Sequence, residues 1–546
     1  MRAPRPAVVV SAIAVVLALV VVGSLVRAGF LTALDAAGAG DENVTPSTPD
    51  AVESGTVDPY YGQTIRWGEC SKDQVALNRD YRPSDMSAYQ CAKLYAPLDW
   101  DDPSGEKITL SLAVHRSGED GAPVLFYNLG GPGGAAIKSL SYLIENNLGS
   151  ALVKKYDVVA VDPRGVGTST PVKCLTDAQL DAYSSTGSVT GASEQDRAAA
   201  TPEQIVADAT AEVEAISKGC EKMSGDLFRH IDTVSAAKDF DMIRAVLGQK
   251  TLDYLGYSYG TFLGATYAGL FPDKVGRMVL DGAIDPAMNV DEVSALQMRG
   301  FEASIEHWID TCLTTKTCPL KGTKAQATAQ LTEFLDGLEK NPIPTSDSKR
   351  PLTKNLAVSA IIGMLYSEKT YSMLVQALTP AMEDQDGSQL LFLADYVSDR
   401  NADGTYSSNG TEALIAVNNL DYGPVGTIED WAKEAGLLKS ELPVFGSISG
   451  YASAGLDAWP TSHAAREAIT APGAAPILVV GTTHDPATPY VMAENLAKEL
   501  SSGVLVSNEG WDHTAYSKDA NSCLVGAVEG YLVSGTVPEA GLSCGK

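Results

Sequence analysis

Two periodicities alternate along this chain. Short apolar runs of strand length occur at residues 124–127 and 158–161, each followed by a glycine-rich turn. Further runs stand at 252–255 and 278–280, and again at 476–480 and 504–507. Between them lie helical stretches: 239–247 places Phe240, Ile243 and Leu247 on one face before Gly248, and 261–270 ends at Phe271-Pro272. Strand alternating with helix from about Trp67 predicts a mostly parallel sheet covered by helices. From about 286 to 470 the strand signal fades, and long amphipathic stretches at 303–313, 325–338 and 356–378 replace it. A helical block set into an α/β sheet is the expected shape of a cap.

The two ends of the chain refine that picture. Arg2 and Arg5 precede an apolar run over 7–26 that closes at Arg27. Such a run is long for a signal-peptide core of about 7–15 residues and approaches the roughly 20 needed to span a bilayer. Residues 1–39 are therefore expected to be a signal peptide or an N-terminal anchor, and both put the remainder across the membrane. Residues 40–66 are expected to be a linker, 67–285 and 471–546 the two parts of the core, and 286–470 the cap. Eight cysteines suit an oxidising compartment, with sequence neighbours taken as partners: Cys70 with Cys91, Cys174 with Cys220, Cys312 with Cys318, Cys523 with Cys544. No cysteine cluster has zinc-site spacing, and no metal or cofactor is expected. The formal net charge of −28 disfavours nucleic acid as a partner.

The chemistry centres on Gly256-Tyr257-Ser258-Tyr259-Gly260, between a predicted strand and a predicted helix. A Gly-x-Ser-x-Gly turn in that context forms a tight elbow that exposes the serine above the sheet. A serine hydroxyl needs a base, and the base an orienting acid, which in the α/β-hydrolase arrangement follow in the order Ser, acid, His. His513, in the loop Gly510-Trp511-Asp512-His513-Thr514, is the expected base; His463 falls in the cap and His484 beside the acid. Asp485, in the loop after 477–480, is the expected acid. Its rival is Asp281, at the end of another strand, which reads better as a structural group bonding backbone amides in its own turn. Oxyanion donors are expected from the backbone of Tyr259 and of Gly131, or failing that Gly130, in Asn128-Leu129-Gly130-Gly131-Pro132-Gly133-Gly134. A phosphate loop is excluded because no Lys-Ser/Thr follows these glycines.

Taken together, GGPGG, Asp162-Pro163-Arg164-Gly165-Val166-Gly167-Thr168-Ser169, GYSYG, THDPATPY and DHT resemble the prolyl and tripeptidyl aminopeptidase family of α/β-hydrolases, from about Trp67 to the end of the chain. Length, export signal and cysteines look most like its secreted tripeptidyl branch. Asn419 and Leu456 stand where that family often carries two cap cysteines. The resemblance implies an α/β-hydrolase fold with an inserted helical cap, and a secreted or extracellularly anchored serine exopeptidase. Its partners would be peptide substrates with free N-termini, met by carboxylates for which Glu302, Glu306, Asp310 and Asp421 are candidates. A carboxylesterase or lipase using the same triad is the alternative reading.

Overall fold

The computed structural model describes residues 56–78, 81–191, 200–461 and 466–545. The apolar run at 7–26, the proposed signal or anchor and linker residues 40–55 lie outside them. Among the described residues no helix is long and apolar enough to cross a membrane.

A 10-stranded sheet runs through the molecule. Its strands are β1 (Gly68–Glu69), β2 (Tyr89–Pro97), β3 (Lys107–His115), β4 (Val124–Asn128), β5 (Asp157–Asp162), β6 (Leu252–Tyr257), β7 (Val275–Asp281), β8 (Ile477–Thr482), β9 (Gly503–Asn508) and β10 (Leu542–Cys544), in the order β1-β2-β3-β5-β4-β6-β7-β8-β9-β10. From β5 to β10 every neighbouring pair is parallel. The first strands depart from the expected parallel pairing, since β1, β2, β3 and β5 pair antiparallel in turn. They escape an apolar-run search because lysine, serine and glutamine interrupt them, as in YQCAKLYAP and KITLSLAVH. β4, β5 and β8, by contrast, are buried at every position, and are the runs that the hydrophobic pattern finds.

The longer helices follow in chain order. α1 (Asp177–Thr186) and α2 (Pro202–Ser224) leave the end of β5, each opened by a Thr-x-x-Gln capping box. α3 (Thr233–Val246) and α4 (Tyr259–Leu270) flank β6. Between β7 and β8 stand α5 (Val290–Leu313), α6 (Lys324–Lys340), α7 (Lys354–Met364), α8 (Tyr371–Glu383), α9 (Ser388–Val397), α10 (Gly410–Asp421) and α11 (Ile428–Glu441). α12 (Tyr490–Glu499) and α13 (Ser522–Ser534) close the core. The cap has its own apolar centre around Phe301, Ile305, Trp308, Leu374 and Leu378.

Three boundaries differ from expectation. The amphipathic stretch 356–378 is two helices, because Thr370 Oγ1 takes up the carbonyls of Met364 and Ser367 and stops the first at Leu365-Tyr366-Ser367. α2, which precedes the cap in sequence, joins it: Ile205 and Ala209 pack with Trp431, Ala435 and Tyr451. The described end of the expected linker is docked, with Tyr60 fully buried and Gln63 bonded to the backbone of Tyr95.

Four disulfides are present, Cys70–Cys91, Cys174–Cys220, Cys312–Cys318 and Cys523–Cys544, each between sequence neighbours. A second tie is ionic. Arg164, after β5, forks onto both oxygens of buried Asp239 at 2.7 Å and donates to the carbonyls of Pro97, Leu98 and His230. Removing one partner of such a pair strands the other charge. Arg164→Ala is expected to destabilise the protein by about 3–5 kcal/mol. An unchanged thermal midpoint would show that the Asp239 charge is relieved some other way.

Candidate active site

The parallel strands deliver their chemistry at one edge, the C-terminal ends of β4, β6, β7, β8 and β9, where open α/β sheets form their clefts. Ser258 lies between β6 and α4 with φ 54° and ψ −124°, a backbone conformation rare for a non-glycine residue. Its neighbours hold it there: its N–H donates to Asp281 O at 2.9 Å, and Thr261 Oγ1 donates to its carbonyl at 2.6 Å. Gly256 is required by close approach, since a Cβ there would come within 2.5 Å of Gly260 O. The elbow therefore presents Ser258 at the start of α4, only 4% exposed.

Asp485 follows β8 and His513 follows β9. His513 Nδ1 lies 2.8 Å from Asp485 Oδ1 and 3.0 Å from Oδ2. Further donors surround the carboxylate: the N–H groups of Ala487, Thr488 and Thr514 and the hydroxyl of Thr488, at 2.8–3.0 Å. A carboxylate so bonded can hold Nδ1 protonated, which leaves the other ring nitrogen as the basic one. That nitrogen, His513 Nε2, is buried and has no hydrogen-bond partner among the described residues. Tyr366, from the break between α7 and α8, lies edge-on to the imidazole at 5.2 Å between centroids and lines the same cavity as Ser258.

Asp281 does not reach His513. Its carboxylate accepts the N–H groups of Ala515 and Tyr516 at 2.7–3.1 Å, so it fastens the loop that carries His513 rather than bonding within its own turn. Full burial pushes its pKa up to about 6.

The glycine-rich turn after β4 lies beside Ser258. Gly130 has its N–H engaged by Asn128 Oδ1 at 2.9 Å, which leaves Gly131 the better donor of the two. Gly131 adopts φ 118°, inaccessible to a residue with a side chain at reasonable cost. Tyr259 is the first residue of α4, so its N–H has no acceptor within the helix. The Asp162-Pro163-Arg164-Gly165 segment is scaffold: Asp162 accepts from Ile137 N and from Thr168 N and Oγ1, joining the two turns.

A narrow cavity lies beside Ser258, under the cap. Gly131, Tyr259, Phe262, Tyr366 and Tyr422 line it, together with one acidic side chain, Asp421 at the end of α10. Both Asp421 oxygens are bonded by Thr233, from N at 2.9 Å and from Oγ1 at 2.6 Å, and burial pushes its pKa up to about 7. The other candidate acids are placed differently. Glu302 is buried within the cap, accepting from Val444 N and Phe445 N. Glu306 and Asp310 pair with Lys324 on the cap surface. His484 stacks on Trp511, while His463 lies outside the described residues. Thr488 and Tyr366 were not singled out by the sequence; the first is three residues beyond Asp485, the second carries no local signal.

The sequence model of the family described as alpha/beta hydrolase fold matches residues 123–520. Serine protease Hip1 of Mycobacterium tuberculosis (strain ATCC 25618 / H37Rv) is 33% identical over 507 residues, spanning 89% of this chain and 92% of that protein. Carboxylesterase B of the same organism is also 33% identical, over 520 residues, with 94% and 95% covered. Tripeptidyl aminopeptidase of Streptomyces lividans is 28% identical over 505 residues, with 88% and 86% covered.

Proposed function

Since the chain belongs to the alpha/beta hydrolase fold family and is a serine hydrolase, we propose that it is an exported exopeptidase that releases short peptides from free N-termini. In this reading Ser258 attacks the scissile carbonyl. His513 takes its proton through Nε2 and returns it to the leaving amine, and Asp485 holds the imidazole in that tautomer. The backbone N–H groups of Gly131 and Tyr259 receive the developing oxyanion. Acyl transfer to Ser258 and hydrolysis of the acyl-enzyme by water complete the cycle. Export accords with the disulfides and the N-terminal apolar run.

The observation that carries the exopeptidase reading is Asp421, a buried carboxylate in the Ser258 cavity. Two Thr233 bonds occupy part of its acceptor capacity, and a carboxylate has room for about four. A substrate ammonium can take the remainder, and the cap above the cavity favours a chain end over a continuous chain.

The test compares one peptide amide with a free and with an acetylated N-terminus. Acetylation is expected to lower kcat/KM roughly thirty- to a hundredfold, the worth of one charge-assisted contact of about 2–3 kcal/mol. Asp421→Asn should erase most of that discrimination. The pH dependence has a definite sign. The ammonium requires ionised Asp421, so preference for the free amine should rise as pH passes about 7 and fall again once the amine itself deprotonates near pH 8. Equal cleavage of acetylated peptides would remove the ammonium site. The second reading, an esterase, is favoured by the apolar cavity wall of Phe262, Ile284 and Val293. Turnover of short-chain esters with none of peptides would establish it instead.

A further inference from the structure

The loop carrying His513 has little to hold it in shape by itself. Residues 510–516 contain no helix or strand. Thr514, next to His513, has φ 64°, a left-handed conformation that a β-branched residue resists. Such a backbone persists only where its surroundings fix it. On the core side Asp281 and Asp485 bind the N–H groups of residues 514–516. The other side belongs to the cap.

There, three consecutive residues are each tied to the cap. Trp511 stacks on His307 of α5, centroids 4.0 Å apart and planes 4° from parallel, while His484 covers its other face at 4.0 Å. Asp512 accepts from Ser367 Oγ at 2.5 Å and from Glu368 N at 2.9 Å. His513 donates its N–H to Tyr366 O at 2.8 Å and receives the Tyr366 ring edge-on. His307 Nε2 lies 2.8 Å from Glu368 Oε1, so the cap partners are joined to one another. These partners converge on the interruption between α7 and α8, at residues 365–370.

We propose that this cap segment is a positioning device for the general base, in which Asp512, clamped by Ser367 and Glu368, and Tyr366 hold the His513 loop in the shape that aims Nε2 at Ser258. The inference rests on His513 being the base, and it makes the cap part of the catalytic geometry as well as a lid over the cleft. Neither Asp512 nor Tyr366 exchanges a proton with substrate; each acts through His513. An imidazole displaced by about 1 Å can lose a hundredfold in rate without any loss of binding.

The test uses the full-length enzyme, a short-chain ester and a fluorophosphonate, so that it does not depend on peptide specificity. Asp512→Ala is expected to lower kcat and the fluorophosphonate labelling rate together, by about 10- to 100-fold, with KM within about twofold and the thermal midpoint unchanged. Asp512→Asn keeps an oxygen for the Glu368 N–H and should recover most of the rate. Ser367→Ala, the milder change, should lose several-fold in the same two quantities and serves if Asp512→Ala folds poorly. Tyr366→Ala, which keeps the carbonyl but removes the ring packed on His513, should lose rate as well. Wild-type labelling by Asp512→Ala, or losses that follow the unfolded fraction, would overturn the proposal. The His513→Ala control separates the two ideas: if it labels normally, the assignment of the base fails; if it does not while Asp512→Ala does, only the clamp fails.

Discussion

Replacing Ser258 by alanine is expected to lower hydrolysis roughly a millionfold and to abolish covalent labelling by a fluorophosphonate. The magnitude follows from losing the atom that forms the acyl-enzyme, after which only oxyanion stabilisation and binding remain to assist water. His513→Ala should cost about as much, and the double variant little more than either, because nucleophile and base act as one unit. The substitution tests chemistry rather than folding. Alanine keeps the Cβ, so the strain at φ 54° is the same, and the bonds from Ser258 N and O do not involve the hydroxyl. The check is labelling followed by intact mass and a thermal melt. Labelling that persists in a folded Ser258→Ala protein would remove this residue from the nucleophile's place.

The elbow was legible because its residues are contiguous and its glycines answer a steric demand visible in the motif itself. The parallel half of the sheet was legible for a related reason: strands buried on both faces must be apolar throughout. Asp485 and His513 could be chosen only by their order along the chain, since what joins them is the convergence of the ends of β8 and β9. What stayed hidden depends on contacts between distant segments. Tyr366 sits 147 residues before His513 in the sequence, in a stretch whose periodicity reads as one uninterrupted helix. Asp512 looks like any loop acid until Ser367 and Glu368 are brought against it. Asp421 stands among Glu302, Glu306 and Asp310 as one of four candidate acids; its place at the end of α10, over Thr233, singles it out. The same holds for α2, whose packing against Trp431, Ala435 and Tyr451 leaves no mark in its own stretch of sequence.

Asp485 and Asp281 are both buried carboxylates at strand ends on the same edge, and substitution should separate them sharply. Asp485→Asn is expected to cut kcat by about 10⁴, because an amide in place of the carboxylate no longer selects the tautomer with Nδ1 protonated. Asp281→Asn should cost only about tenfold. It loosens the anchor at Ala515 and Tyr516 but leaves the Asp485–His513 pair in place. The two should also differ in their bearing on stability. Asp281 has a pKa of about 6 in the folded protein, against about 3.9 in an unfolded chain. The folded state therefore binds its proton more readily, so this group's contribution to stability is present below about pH 4 and is lost as pH rises through about 6. Asparagine resembles the protonated acid and escapes that loss. The stability deficit of Asp281→Asn relative to wild type should therefore shrink between pH 4 and pH 7. Steady-state kinetics and urea melts at those two pH values read both effects. If Asp281→Asn proved the more damaging to kcat while remaining folded, the acid of the triad would have to be reassigned to Asp281, and the 2.8 Å contact between His513 and Asp485 would be a structural one.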